Sequence, residues 1–148
     1  MSVIIDIANA VVGLVNSGTY VQPVAAKRLY QPVLELPETE TLTVSVVPKA
    51  QTVNPGTRTD DFVEVAVDVA VQKKLTFDAS DQTALDGLMT LVEQIIDRLR
   101  HEHLEIGTTT PKRALFVSIA NEPVFAPDHL EQLRQFTSLI TVRYQVRR

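Results

Sequence analysis

The side chains best suited to chemistry are three carboxylates near the middle of the chain. Asp86, Glu93 and Asp97 fall on the polar side of a predicted helix, and Glu93 and Asp97 are four residues apart. Carboxylates at this spacing share one helix face and can bind a hard cation. A solvated helix face has the same pattern, and Arg100 follows Asp97 at the spacing of an ion pair. We favour the solvated face.

Histidine offers a second possible metal site. His101 and His103 are separated by one residue, so on a helix their imidazoles would point in different directions and could not easily bind one ion. The sequence has no cysteine, which excludes thiolate ligands and cysteine nucleophiles. Its 5 glycines are too scattered for a phosphate-binding loop. We therefore expect no enzymatic activity, no cofactor and no metal.

A group of basic residues near the end of the chain is the third candidate. Its members are Lys112, Arg113, Arg143, Arg147 and Arg148. Such a group can contact nucleic acid, but the net charge is −4 and few aromatic residues could stack on bases. We favour contact with acidic residues of another subunit, and the pairs Glu38/Glu40 and Asp60/Asp61 are suitable partners.

Length and composition describe one domain over residues 1–148. A chain of 148 residues with 45% hydrophobic content can bury one sizeable core. No apolar stretch approaches the roughly 20 residues of a membrane span, and the N-terminus lacks the basic region of a signal peptide. We expect a protein that folds in a cytoplasm and does not contact a membrane.

Periodicity predicts the elements that position these groups. Apolar residues at helical spacing predict a helix over 4–16 and a longer helix that ends near His103. Alternation predicts strands at 25–30, 41–47, 62–75, 115–119 and 136–147, with the strand at 41–47 stopped by Pro48. The fold class is α+β: an antiparallel or mixed sheet of four to five strands, with one long helix and an N-terminal helix packed on one face.

The strand that begins at Phe62 is the most informative segment. From Val63 to Val71 the odd positions are all valine, and the even positions are small or acidic. One face therefore belongs to a core, and the backbone groups of the strand need a partner on each side. The closing strand alternates in the same way, with Tyr144 on its apolar face. A sheet with few candidate neighbours is typical of a protein that assembles with copies of itself.

An extended loop is predicted at 49–60. Asn54-Pro55-Gly56 is strong turn chemistry, and the segment has no apolar periodicity. Long loops in compact domains are often functional. The candidate contacts to another subunit or to a tube are Asn54, Arg58, Asp60, Asp61, Arg143 and Arg147.

In the order of its predicted elements and in several short sequence segments, the chain resembles the tail terminator, or tail-completion, proteins of long-tailed bacteriophages and related gene transfer agents. The similarity covers nearly the whole length. It includes the single long helix and the segments DIANAVV at 6–12, RLYQP at 28–32, TVSVVP at 43–48, RTDD at 58–61 and FTSLITVRY at 136–144. None of these segments is a catalytic signature.

The resemblance implies a structural virion protein of the tail and neck, made in the host bacterial cytoplasm. Such proteins form a ring, usually a hexamer, on the head-proximal end of the tail tube. The ring ends polymerisation of the tube protein, joins the tail to the head-tail connector or stopper, and lets DNA pass through its lumen without sequence-specific binding. A net charge of −4 per chain suits a lumen to which DNA does not adhere.

Three alternatives stay open. A head-tail connector or stopper protein of the neck would have a similar texture. A small cytoplasmic binding domain could use the same sheet to hold a ligand or peptide. An enzyme would have to be built on the carboxylates of the long helix.

Overall fold

The computed structural model describes residues 2–30, 42–74, 82–107, 111–122 and 135–147. They form two helices and six strands. Helix α1 spans Val3–Asn16 and helix α2 spans Gln82–Leu99. The strands are β1 (Ala26–Arg28), β2 (Thr43–Pro55), β3 (Asp61–Lys74), β4 (Leu104–Ile106), β5 (Lys112–Asn121) and β6 (Gln135–Arg147). Glu38, Glu40 and Arg148 lie outside the described residues.

The strands form one mixed sheet in the order β1-β2-β3-β6-β5-β4. The β1–β2 pair is parallel and the other neighbouring pairs are antiparallel. The α+β class is confirmed, but the predicted four to five strands are too few for a sheet of six. The strand that was missed is β4, which lies directly after the predicted end of the long helix.

The long helix ends earlier than predicted because the chain turns at His101. Helix α2 stops at Leu99, and His101 has a positive φ of 61°. A left-handed residue at this position ends a helix. Residues 104–106 are then free to pair with β5, with Leu104 opposite Ala114.

The sheet curls around α1. This helix contacts β1 and β4, the two edge strands, as well as β2 and β3. Six strands laid flat would separate the edges by roughly 24 Å, whereas a helix with its side chains is only about 10–12 Å wide. One helix can contact both edges only when the sheet bends around it. The prediction that both helices pack side by side on one face is therefore only roughly correct. Helix α1 contacts four strands of the curled sheet, whereas α2 packs mainly against α1 and β6.

The core lies between α1, α2 and the concave side of the sheet, which we call the inner face. The valines of β3 at 63, 65, 67, 69 and 71 all have 0% exposure. Their neighbours across β6 include Ile140, Val142 and Tyr144, also fully buried. Burial of each large apolar side chain contributes about 1.5–3 kcal/mol before the entropy cost. The predicted alternation of β3 and β6 is confirmed.

Strand β2 does not end at Pro48 as predicted. It continues to Pro55, and its pairing with β3 shifts by one residue between Pro48 and Ala50. Proline cannot donate a backbone hydrogen bond, so within a sheet it is accommodated at an edge or a bulge. Here Pro48 lies next to the bulge, and regular pairing with β3 continues from Ala50 to Pro55.

Candidate subunit-contact surface

A long hairpin carries four of the six candidate contact residues. The predicted loop at 49–60 is wrong over most of its length, because residues 49–55 are strand and pair with residues 61–66 of β3. We call residues 49–67 the arm: the second half of β2, the connecting turn and the first half of β3. Asn54, Arg58, Asp60 and Asp61 lie on the arm, near its tip.

The tip of the arm is held by its own hydrogen bonds. The backbone N–H groups of Gly56 and Thr57 donate to the Asp60 carbonyl at 3.1 and 2.9 Å. The Thr57 hydroxyl accepts from the N–H of Asp60 at 3.1 Å. The Phe62 ring lies so close to Gly56 that a Cβ at position 56 would meet its ring carbons at 2.6 and 2.7 Å. The turn is therefore closed without help from another chain.

The remaining two candidates, Arg143 and Arg147, lie on β6 beside the arm. Arg147 donates from Nε and from a terminal guanidinium nitrogen to Asp60 Oδ2, at 2.9 and 2.5 Å. Arg143 lies 3.7 Å from the Glu64 carboxylate. All six candidates are thus brought to one end of the sheet. Both arginines pair with acids of their own chain rather than leaving those acids free for another subunit.

A third polar contact extends this cross-strand pattern along the outer face, the convex side of the sheet. Thr141 donates to Asp68 Oδ1 at 2.6 Å, and the Lys49 ammonium lies 3.7 Å from the same oxygen. With the Glu64–Arg143 and Asp60–Arg147 pairs, this contact makes a series that crosses β2, β3 and β6. Opposite charges on neighbouring strands hold the arm in register with β6.

Among the described residues, the outward edge of β2 has no strand partner along the arm, and we call it the open edge of β2. Strand β1 pairs with β2 only opposite residues 44–46, and the Leu29 amide adds a hydrogen bond to the Val46 carbonyl. Within the described ranges no strand pairs with residues 49–55 on the side away from β3. Every side chain from 49 to 55 is exposed, and Val53 is 54% exposed. An unpaired strand edge is a template for another strand.

At the other side of the sheet, part of the outward edge of β5 has no strand partner among the described residues, and we call it the open edge of β5. Strand β4 pairs only with residues 112–114 of β5. Beyond them, the backbone N–H of Phe116 points away from β6 and donates to His103 Nδ1 at 3.1 Å. In the part of the chain that the structure describes, residues 118–121 pair with β6 alone, and the bulge residue Val117 stands outside the register with β6. Val117, at a bulge between Phe116 and Ser118, is 46% exposed.

The sequence did not reveal the exposure of β5. Alternation of Leu115, Val117 and Ile119 predicts three apolar residues on one face. The bulge breaks that alternation, so Leu115 and Val117 are 43% and 46% exposed while Ala114 is buried. A bulge without glycine or proline has no local sequence signature here. Leu115 and Val117 are therefore surface residues found only in the structure.

The carboxylates and histidines considered as metal ligands lie on the surface of α2 and in the segment that follows it. Asp86, Glu93 and Asp97 are exposed on α2, and Asp97 pairs with Arg100 at 3.3 Å. The His101 ring contacts the Phe116 ring, with the ring centres 5.5 Å apart. Across the described ranges, no group of three or more potential ligands could hold a metal ion.

The most perturbed titratable group is in the core rather than on this surface. Burial raises the pKa of Tyr144 well above its ordinary value, and the Glu102 carboxylate adds to the shift. Its hydroxyl has no hydrogen-bond partner among the described residues. Tyr144 therefore behaves as a buried packing residue, and its ionisation is linked to unfolding.

Neither a protein-family model nor a curated protein sequence matches this chain. Among the described helices, none is long and apolar enough to cross a membrane.

Proposed function

We propose that this chain is a structural protein of a long-tailed phage virion that forms a ring, a hexamer, at the head-proximal end of the tail tube. The ring ends tube polymerisation and joins the tail to the head-tail connector or stopper. DNA passes through the ring without sequence-specific contacts. The proposal combines the family resemblance of the sequence with the surface described above.

The observation that carries the proposal is the open edge of the arm. Residues 49–55 form regular strand although all their side chains are exposed. Such a segment adds little burial to the fold of a single chain. Its outward backbone groups have no strand partner within the described ranges, which favours addition of another strand. Assembly with further copies or with the tube would use this edge.

The charge distribution is compatible with a lumen for DNA. The chain has a net charge of −4. Arg143 and Arg147 are already paired with carboxylates of their own chain. Pairing reduces the attraction of these arginines for phosphate, so a ring of such chains would repel the DNA backbone more than it would bind it.

The test is the length of tail tubes grown in the presence of this chain. Tube protein is polymerised alone and with increasing amounts of the purified chain, and tube lengths and ends are measured by negative-stain electron microscopy. The expected result is shorter tubes with annular density on one end. A chain that forms no annuli, alone or with tubes, and leaves tube length unchanged would contradict the proposal. Annuli that bind heads but not tubes would instead support the connector or stopper alternative.

A further inference from the structure

We infer that the ring closes by strand addition between two different edges, in which residues 49–53 of β2 in one copy pair antiparallel with residues 117–121 of β5 in the next copy. This inference rests on the proposed ring. It specifies which edges of neighbouring copies meet in that ring, and the direction and register of their pairing. The occupant of each open edge is thus a second copy of this chain.

The two edges match in length and character. On β2, the covered stretch ends near Val46 and the bulge follows at Pro48. On β5, the covered stretch ends at Phe116, whose N–H is taken by His103. Apart from Lys49, each edge then offers a short segment of small, amide, hydroxyl and aliphatic side chains, with one valine about half exposed in each, Val53 and Val117.

The direction follows from the topology and from charge. Within one chain β2 and β5 run in opposite directions, because three successive antiparallel pairings separate them. Rotation about a ring axis along the strands keeps each direction, so β2 of one copy meets an antiparallel β5 of the next. The antiparallel arrangement also brings Lys49, at the start of one segment, near Glu122, just after the end of the other. A parallel arrangement would separate these charges.

The face that each residue occupies limits the possible registers. On β2, Gln51 pairs with Val65 of β3 and so belongs to the inner face. On β5, Ile119 pairs with Val142 of β6 and belongs to the same face. Neighbouring strands keep their faces in common only when inner residues oppose inner residues. Registers two residues apart all satisfy this condition, and among them we infer the one that places Gln51 opposite Ile119, because it also brings Val53 level with Val117, the half-exposed valine of the β5 bulge.

Pairing of two unlike edges also explains why the assembly would be a ring. An edge that paired with itself would give a closed dimer with both copies satisfied. Pairing of β2 with β5 leaves one edge of each kind at the ends of every incomplete assembly. Only closure into a ring satisfies all of them.

Cysteine cross-linking tests the contact directly, because the natural chain contains no cysteine. Cβ atoms of directly opposed residues in an antiparallel pair lie about 4.5–5.5 Å apart, close to the separation that a disulfide needs. The variants Val53→Cys and Val117→Cys are mixed, oxidised under ring-forming conditions, with tail tubes if required, and separated on a non-reducing gel. We expect covalent dimers from the mixture and almost none from either variant alone.

The double variant Val53→Cys/Val117→Cys sharpens the test. It should give a ladder of covalent species that ends at the number of copies in the ring. The matched control is Val21→Cys combined with Val117→Cys, because Val21 is 59% exposed but outside both edges. The control should give no ladder. A second pair, Gln51→Cys with Ile119→Cys, tests the same register at a neighbouring position.

The outcomes separate this inference from the proposed function. Annuli that form normally while neither cysteine pair cross-links would overturn the strand pairing and leave the ring intact. Efficient cross-linking of Val53→Cys with itself would also overturn it, because the contact would then join two like edges. Absence of annuli and of tube capping in the natural chain would remove the proposed function itself.

A charge on the edge provides an independent readout. Val53→Lys places an ammonium group where the neighbouring strand should dock, a substitution that blocks edge pairing. It should abolish annuli while circular dichroism and the unfolding midpoint stay unchanged. Val21→Lys is the control and should assemble like the natural chain. Normal annuli from Val53→Lys would contradict the inference.

Discussion

The two halves of β2 pair with the same strand but lie in opposite environments. Residues 44–47 are buried, between β1 on one side and β3 on the other. Residues 49–55 are all exposed and have β3 as their one described neighbour. Strand formation and burial therefore have different causes in β2. Pairing with β3 keeps the whole of β2 in strand conformation. Burial requires β1 and α1 as well, and only the first half of β2 is buried.

This contrast suggests that the second half of β2 was not selected for the stability of the single chain. Its residues are exposed and do not fill the core. Lys49 is the one charged residue among them, so the edge has little charge to block pairing with another strand. Natural sheets usually protect exposed edges with charges, prolines or bulges. Here the bulge and Pro55 mark the two limits of the unprotected stretch.

The largest expected difference between the two halves comes from a charge on the inner face. Val46→Asp places a carboxylate at a position with 0% exposure, and we expect it to lower the free energy of unfolding by about 3–5 kcal/mol. Val53→Asp, the same change on the same strand at 54% exposure, should alter it by less than about 0.5 kcal/mol. Urea unfolding followed by circular dichroism measures both. Similar losses would show that the arm is part of the core.

A smaller loss of unfolding free energy should follow when β1 is released from α1. Strand β1 pairs with the first half of β2 and not with the second. The Asn16 side chain accepts from the Ala26 N–H at 2.7 Å and donates to the Ala26 carbonyl at 3.2 Å. Asn16→Ala removes both bonds and should cost about 2 kcal/mol. Hydrogen exchange of the Leu29 amide, which bonds to Val46, should accelerate. Asn9→Ala, on the exposed side of α1, is the control, and an equal effect there would contradict the assignment.

The third prediction concerns Tyr144, which is buried on β6 opposite Val65 at the level of the exposed half of β2. Tyr144→Phe removes a buried hydroxyl that has no partner among the described residues, and should raise the free energy of unfolding at neutral pH by about 1 kcal/mol.

Its pH dependence gives a second readout. Burial raises the pKa of Tyr144 above the ordinary value of 10.0, so the unfolded chain loses the proton first. The stability linked to this group is present below pH 10 and is lost as the pH rises above it, by up to about 1.4 kcal/mol per pH unit. Urea unfolding at successive alkaline pH values should show a shallower loss for Tyr144→Phe. Identical curves would mean that Tyr144 is not buried.

The smallest expected effect is that of the ion pair at the tip of the arm. Asp60 and Arg147 are both partly exposed, so their interaction should contribute only about 0.5 kcal/mol in a double-mutant cycle of Asp60→Asn and Arg147→Ala. High salt should reduce it further. Arg58→Ala is the control, because Arg58 is exposed and makes no ion pair within the described residues. A coupling above about 2 kcal/mol would exceed that of an exposed pair and show that the tip is more rigidly packed than its exposure indicates.

Regular periodicity made parts of this fold predictable. Helix α1, predicted over 4–16, spans Val3–Asn16, and the valine strand predicted over 62–75 is β3, Asp61–Lys74. The apolar face predicted for the last strand is buried. In α2 the helical spacing predicts an apolar face of Leu85, Leu88, Met89, Val92, Ile95, Ile96 and Leu99. Leu88, Val92, Ile95 and Leu99 are buried, but this face leaves out Leu91, which is fully buried. Periodicity succeeds where one face of an element meets one core.

The candidate surface was predictable only in part. The sequence identified the polar residues near the turn, because Asn54-Pro55-Gly56 is local turn chemistry. It failed for residues 49–55, whose strand conformation depends on pairing with β3 and has no pattern of its own. It did not reveal the ion pair between Arg147 and Asp60 of the same chain, and the contact of Arg147 with another subunit stays a prediction.

The amino-acid sequence alone determined the helices with clear apolar spacing, the two long alternating strands, and the absence of cysteine chemistry, because these depend on residue types and near neighbours. Tertiary structure decided the order of the six strands, the parallel position of β1, the short strand β4 and the two edges that lack a strand partner in the described part of the chain. These features arise from hydrogen bonds between segments far apart in the chain, and the backbone that makes them is the same for every residue type except proline.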